Sequence, residues 1–254
     1  MSTDTIRTRP GQIISRRGFV RGLTLGAAYF AVPGAFAQSL RETAAMTEGP
    51  FYPDRMPLDT DNDLLIINDS ITPAVGEITH LRGRVLTASG EPVRGAFVEI
   101  WQVDGRASYL HSRGRQAQYD ANFQGYGRFL SDSAGQYHFR TVKPVPYTLG
   151  GTFRAPHIHF ALSRGGERIL TTQAHIRGHA DNVRDPLLSR IRDPEDLETV
   201  LTDFRPLPDS SIGELTASFD IVIGRTLGEI ESTTPTGGPA RPERFGGRGG
   251  RRRF

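Results

Sequence analysis

Two histidines one residue apart, His157 and His159, lie in the segment Arg154-Ala155-Pro156-His157-Ile158-His159-Phe160. Side chains alternate in an extended chain, so His-x-His projects both imidazoles from one face of a strand. Two imidazoles held side by side supply half of a metal site. The chain contains no cysteine, which excludes disulfides and thiolate ligands and leaves His, Tyr, Asp and Glu to complete a metal shell. Two tyrosines upstream, Tyr109 and Tyr147, carry phenolic oxygens, and phenolate is a hard ligand suited to a hard ferric ion. Each residue also has a plainer role when taken alone. Tyr109 has rivals in Tyr119 and Tyr126, Tyr147 can fill a core, His159 can be a hydrogen-bonded core histidine, and Arg154 can be half of an ion pair.

These residues need strands to position them, and the pattern from His80 onward is β. Leu81, Gly83 and Val85 alternate with Arg82 and Arg84, and Ser89-Gly90-Glu91-Pro92 forms a turn. The run Val98–Val103 is β-branched and aromatic, Asp132–Gly135 reads as a turn, and Tyr137–Val142 follows as a strand. Further strands are expected at 157–163, 168–175 and 216–223, after an irregular, turn-rich arm over 38–75. One helix is expected after Asp193. Asp193 caps it, Pro194 takes the first position, Glu195 and Asp196 suit its dipole, and Leu197, Val200 and Leu201 form its apolar stripe. The expected fold is all-β, a two-sheet β-sandwich with long active-site loops and one or two short helices. Trp101 is expected to pack between the sheets.

The ends of the chain read differently from its body. Ser15-Arg16-Arg17-Gly18-Phe19-Val20 is a twin-arginine pattern, followed by an apolar run to Phe36 and the small-residue site Ala35-Phe36-Ala37. Residues 1–37 are therefore expected to be a cleaved export signal rather than a membrane span, with the mature protein periplasmic or extracellular. Residues 38–232 are expected to form the catalytic domain, and the Arg/Gly-rich segment 233–254 a disordered tail. Residues 1–37 carry five Arg against one Asp and residues 241–254 six Arg against one Glu, so the formal charge of +3 leaves a body of −6. That body has no nucleic-acid-binding character, and no interface signature decides for or against a homo-oligomer.

The blocks Trp101–Gly105 with Tyr109-Leu110-His111, Asp120–Arg128, Tyr137–Tyr147 and Arg154–His159, read in that order, resemble the intradiol ring-cleavage dioxygenases, above all the catalytic chain of the protocatechuate 3,4-dioxygenases. The resemblance runs from about Thr47 to Gln173 and less clearly to Ile223. It implies a ferric ion, Fe(3+), held by Tyr109, Tyr147, His157 and His159, with Arg154 and Gln173 as active-site residues and Tyr147 as the ligand that leaves and accepts a proton. The implied reaction opens a small catechol-type ring with dioxygen, between the two hydroxyl-bearing carbons, to a cis,cis-muconate derivative. Arg154 would stabilise the negative charge that builds on the ring. Thr148 and Leu149 stand where protocatechuate enzymes carry a Trp–Arg pair, so the substrate is left open. Two other readings are a non-catalytic β-sandwich module binding a phenolic or surface ligand, and a copper or zinc protein using His157 and His159 alone.

Overall fold

The alternation expected around His80 is realised in β1 (Ile78–Thr87), where Thr79, Leu81 and Val85 are buried and Arg82 and Arg84 are exposed. The computed structural model describes residues 39–57, 59–66, 72–114 and 118–224. The export signal expected over 1–37 and the tail expected over 233–254 lie outside the described residues. No helix among the described residues is long and apolar enough to cross a membrane.

The strands that follow are β2 (Phe97–Trp101), β3 (Tyr126–Leu130), β4 (Gln136–Val142), β5 (Tyr147–Leu149), β6 (Thr152–Arg154), β7 (His157–Arg164), β8 (Glu167–Ile176), β9 (Leu201–Thr202), β10 (Phe204–Pro206), β11 (Leu215–Ser218) and β12 (Ile221–Ile223). One five-stranded sheet runs β10-β11-β1-β12 with β4 on the other edge of β1, and a second runs β3-β2-β7-β8-β9. Their inner faces form the main core. Leu81, Val85, Phe139 and Ile221 come from the first sheet and Val98, Ile100, Ile158, Phe160 and Leu162 from the second. This is the expected mostly β, two-sheet architecture.

The helix after Asp193 forms as α1 (Pro194–Glu198), with the Asp193 carboxylate accepting Glu195 N–H as cap. It is a single turn and a half. Val200 is buried beyond its end, and Leu201, expected on its apolar stripe, is instead the first residue of β9, paired in parallel with β8. Sheet pairing wins over helical periodicity once the chain reaches the free end of β8.

The segment 216–223, expected as one strand, is two. β11 pairs with Thr79–Arg82 of β1 and β12 with Val85–Thr87 in the same register, so the pairing breaks opposite Gly83 and Arg84 and then resumes. Phe219 N–H donates to Arg82 O at 2.9 Å, Asp220 accepts Arg84 N–H at 2.9 Å, and the Tyr137 hydroxyl donates to the Phe219 carbonyl. A Cβ at position 83 would overlap that carbonyl. Gly83→Ala is therefore expected to lower the free energy of unfolding by about 2–3 kcal/mol, read from a denaturant midpoint. An unchanged midpoint would mean that the break in pairing does not depend on this close approach.

Candidate metal centre

β7 is buried on both faces. Ile158, Phe160 and Leu162 enter the core between the sheets. His157, His159, Ala161 and Ser163 face the other way. Register then decides their neighbours: Trp101 of β2 lies opposite His159, His159 lies opposite Gln173 of β8, and His157 lies opposite His175. Cross-strand neighbours share a face and touch. Trp101 stacks on His159 with ring centroids 4.7 Å apart and 10° between planes, and His157 stacks on His175 at 5.2 Å and 27°. Trp101 therefore does not pack between the sheets as expected. It belongs to a second apolar cluster on the outer face, with Tyr52, Val103, Tyr109, Tyr126, Tyr147 and Ala161.

The two tyrosines reach this face from outside the five-stranded sheet. Tyr109 hangs from a turn organised by buried Asp104, whose Oδ1 accepts Arg106 and Ser108 N–H at 2.8 and 2.9 Å and whose Oδ2 accepts Asp120 N–H. Tyr147 opens the two-stranded β5–β6 hairpin. Its turn is Gly150-Gly151 with φ of 58° and 78°, the left-handed pair that a two-residue hairpin needs to match strand twist. The turn places Tyr147 directly opposite Arg154.

Four ligand-type atoms converge. Tyr109 Oη lies 3.1 Å from Tyr147 Oη, 3.4 Å from His157 Nε2 and 3.0 Å from His159 Nε2, and the two Nε2 atoms are 3.1 Å apart. The rival tyrosines are engaged elsewhere: the Tyr119 hydroxyl donates to Phe123 O and the Tyr126 hydroxyl to Glu99 at 2.7 Å. His157 Nδ1 lies 2.6 Å from the Ala155 carbonyl, which accepts only from a protonated nitrogen and so leaves the Nε2 lone pair free. Burial, reinforced by the Arg154 charge, pushes both imidazoles well below their usual pKa and keeps them neutral, as metal ligands must be. Burial pushes both phenols up, Tyr109 most, while the Arg154 guanidinium works against it at Tyr147.

Arg154 is itself buried. Its Nε donates to Asp185 Oδ2 at 2.9 Å and its Nη2 to Gln173 Oε1 at 2.6 Å, and Gln173 Nε2 donates to the Thr47 carbonyl at 2.8 Å. The ion-pair reading of Arg154 thus holds alongside its place at the site. Thr47 belongs to the arm, which runs along β8 (Met46 N–H to Thr171 O, 2.9 Å) and then crosses the outer face. Phe51 stacks on Tyr109 at 4.9 Å and 12°, and the Tyr52 hydroxyl donates to buried Glu99 at 2.6 Å. His111 packs edge-on to Phe51, one ring removed from Tyr109.

All six residues singled out from the sequence, Tyr109, Tyr147, Arg154, His157, His159 and Gln173, meet here. Three others were not read as belonging to the site: Asp185, His175 and Phe51. His175, Asp185 and His157 approach within 4.8 Å of one another. His175 is fully buried with neither ring nitrogen hydrogen-bonded, and burial lowers its pKa to about 4. Burial pushes the Asp185 carboxyl up, but the Arg154 guanidinium and two backbone N–H donors hold it below the usual carboxylate range. The contacts of Asp185 and Phe51 span 31 and 58 residues, and no local pattern announces them.

Comparison with known proteins agrees with this geometry. A dioxygenase family model matches residues 47–224. The chain is 34% identical over 170 residues to the protocatechuate 3,4-dioxygenase beta chain of Burkholderia cepacia, covering 59% of this chain and 72% of that one. It is 30% identical over 174 residues to catechol 1,2-dioxygenase 2 of Acinetobacter lwoffii, spanning 60% of each chain, so about two fifths of that relative has no counterpart in the match. The fold is also that of the dioxygenase domain of a dioxygenase–carbohydrate-binding fusion protein from Streptomyces sp. SirexAA-E, with a TM-score of 0.53, 24% identity and coverage of 73% of this chain and 100% of that one. With the family match spanning most of the chain and two tyrosines, two histidines and an arginine brought together in one site, this protein belongs to the intradiol ring-cleaving dioxygenases.

Proposed function

We propose that this chain is an iron(III)-dependent intradiol dioxygenase that opens a catechol ring between its two hydroxyl-bearing carbons and incorporates both atoms of dioxygen. The observation that carries the reading is the convergence of ligand-type atoms on buried Tyr109, whose Oη has the Tyr147 oxygen and both imidazole Nε2 atoms 3.0–3.4 Å away, with the two nitrogens 3.1 Å apart. The donor set fits the metal: two hard oxygens favour iron(III), and two neutral nitrogens add no charge. When bound, a ferric ion would draw electron density from a chelated catecholate and make the ring reactive toward dioxygen.

The chain's own residues divide the remaining work. Tyr109 stays in place, since Phe51 stacks on one face of it and its hydroxyl meets both imidazoles. Tyr147 is the group that can move. It sits on a hairpin that pairs with no other strand among the described residues, and its phenolic oxygen can accept a substrate proton. Arg154, directly opposite, stabilises negative charge on that oxygen and on the ring. Trp101, Phe51 and Leu149 exclude water. Leu149 shares the site-facing side of the hairpin with Tyr147, and an apolar side chain at that position favours a catechol without a ring carboxylate. The twin-arginine pattern supports export of the folded protein.

Iron loading is expected to turn the protein red-brown through a visible charge-transfer band, and Tyr147→Phe to weaken and shift that band. A protein that stays colourless with iron bound would contradict the ligand assignment. Arg154→Lys is expected to keep the band but lower kcat about 100-fold, measured by oxygen uptake; unchanged turnover would remove Arg154 from the chemistry. Across a substrate panel, catechol and 4-methylcatechol are expected to exceed 3,4-dihydroxybenzoate in kcat/KM, and the reverse order would contradict the role given to Leu149.

A further inference from the structure

Asp185 has no accessible surface, yet it is the most heavily bonded acid beside the site. Its Oδ2 accepts Arg154 Nε and Ala155 N–H, both at 2.9 Å, and its Oδ1 accepts Leu187 and Leu188 N–H at 2.9 and 3.0 Å. A carboxylate offers about four lone-pair directions, and here all are used. Asp185 therefore holds other groups and does not ligate a metal, although it lies within 4.8 Å of His157 and His175 ligand atoms.

The groups that Asp185 holds both belong to the site. One is the Arg154 guanidinium. The other is the backbone N–H of Ala155, the residue whose carbonyl accepts His157 Nδ1–H at 2.6 Å. Gln173 grips the guanidinium at Nη2, so the fork is fixed from two sides. A long side chain with this much rotamer freedom reaches one geometry only when such bonds hold it.

We propose that Asp185 is a positioning residue for ring cleavage, fixing the Arg154 guanidinium where it faces Tyr147 and the bound catechol. The proposal rests on the intradiol reading for its kinetic consequence, while its geometric content stands apart from it.

The test is a double-mutant cycle in the full iron-loaded chain with Asp185→Asn, Arg154→Met and both together, plus a crystal structure of Asp185→Asn. Asp185→Asn is expected to melt cooperatively, hold one iron, and lose about 10- to 100-fold in kcat with KM changed less than about threefold. In the Arg154→Met background the same change should alter kcat less than about twofold, and the crystal structure should show the guanidinium released from Gln173. The proposal is overturned by wild-type kcat in Asp185→Asn, by equal losses in both backgrounds, or by an unmoved guanidinium. If Asp185→Asn does not fold, Asp185→Glu, which keeps the charge, carries the same cycle and the same structural readout. Wild-type protein that binds iron but cleaves no catechol would sink the parent reading, and the guanidinium position would still decide for or against Asp185.

Discussion

The site depends first on the register of β7 between β2 and β8. That register sets Trp101, His159 and Gln173 in one row and His157 beside His175 in the next, all on the face turned away from the main core. A slip of one residue would turn Ile158 and Phe160 toward the site and drive both histidines into the sandwich, so folding and ligand placement are enforced by the same constraint. The apolar residues on the inner face make such a slip costly. The ligand strand is fixed by the core it shares rather than by any bond the ligands make.

The outer face needs its own covering, because a two-sided strand exposes one side unless something lies over it. The arm supplies it: Thr47 ties to Gln173, Phe51 lies on Tyr109, and Tyr52 reaches Glu99. The pocket so closed contains two neutral imidazoles and two phenols, a set with no net charge until a cation displaces the phenolic protons. The Arg154 charge beside it is balanced by Asp185, since a lone buried cation would be strongly destabilising. The folded protein thus holds two phenols, two imidazoles and a buried arginine together without a buried excess of charge.

Much of this was legible in the sequence, but unevenly. The period-two spacing of His157 and His159 places both on one face by itself, and the long strands followed from β-branched runs and turns. Tyr109 and Tyr147 came from resemblance to a family, because nothing local separates Tyr109 from Tyr119 or Tyr126; hydrogen bonds to Phe123 and Glu99 make the difference. Alternation told that Trp101 and Ile100 face opposite ways, but not which of the two faces the other sheet, and the assignment of Trp101 to the inter-sheet core was wrong for that reason. The break at Phe219-Asp220 and the conversion of Leu201 to strand are imposed by partners far along the chain. The β5–β6 hairpin is too short to show a pattern, and Gly150-Gly151 was its only mark.

Anomalous diffraction at the iron edge from crystals of the loaded protein tests the central claim most directly. The account predicts one peak, placed among Tyr109 Oη, Tyr147 Oη, His157 Nε2 and His159 Nε2. A peak bounded instead by His157, His175 and Asp185 would contradict it, because it would require the carboxylate to release Arg154 in order to bind the metal.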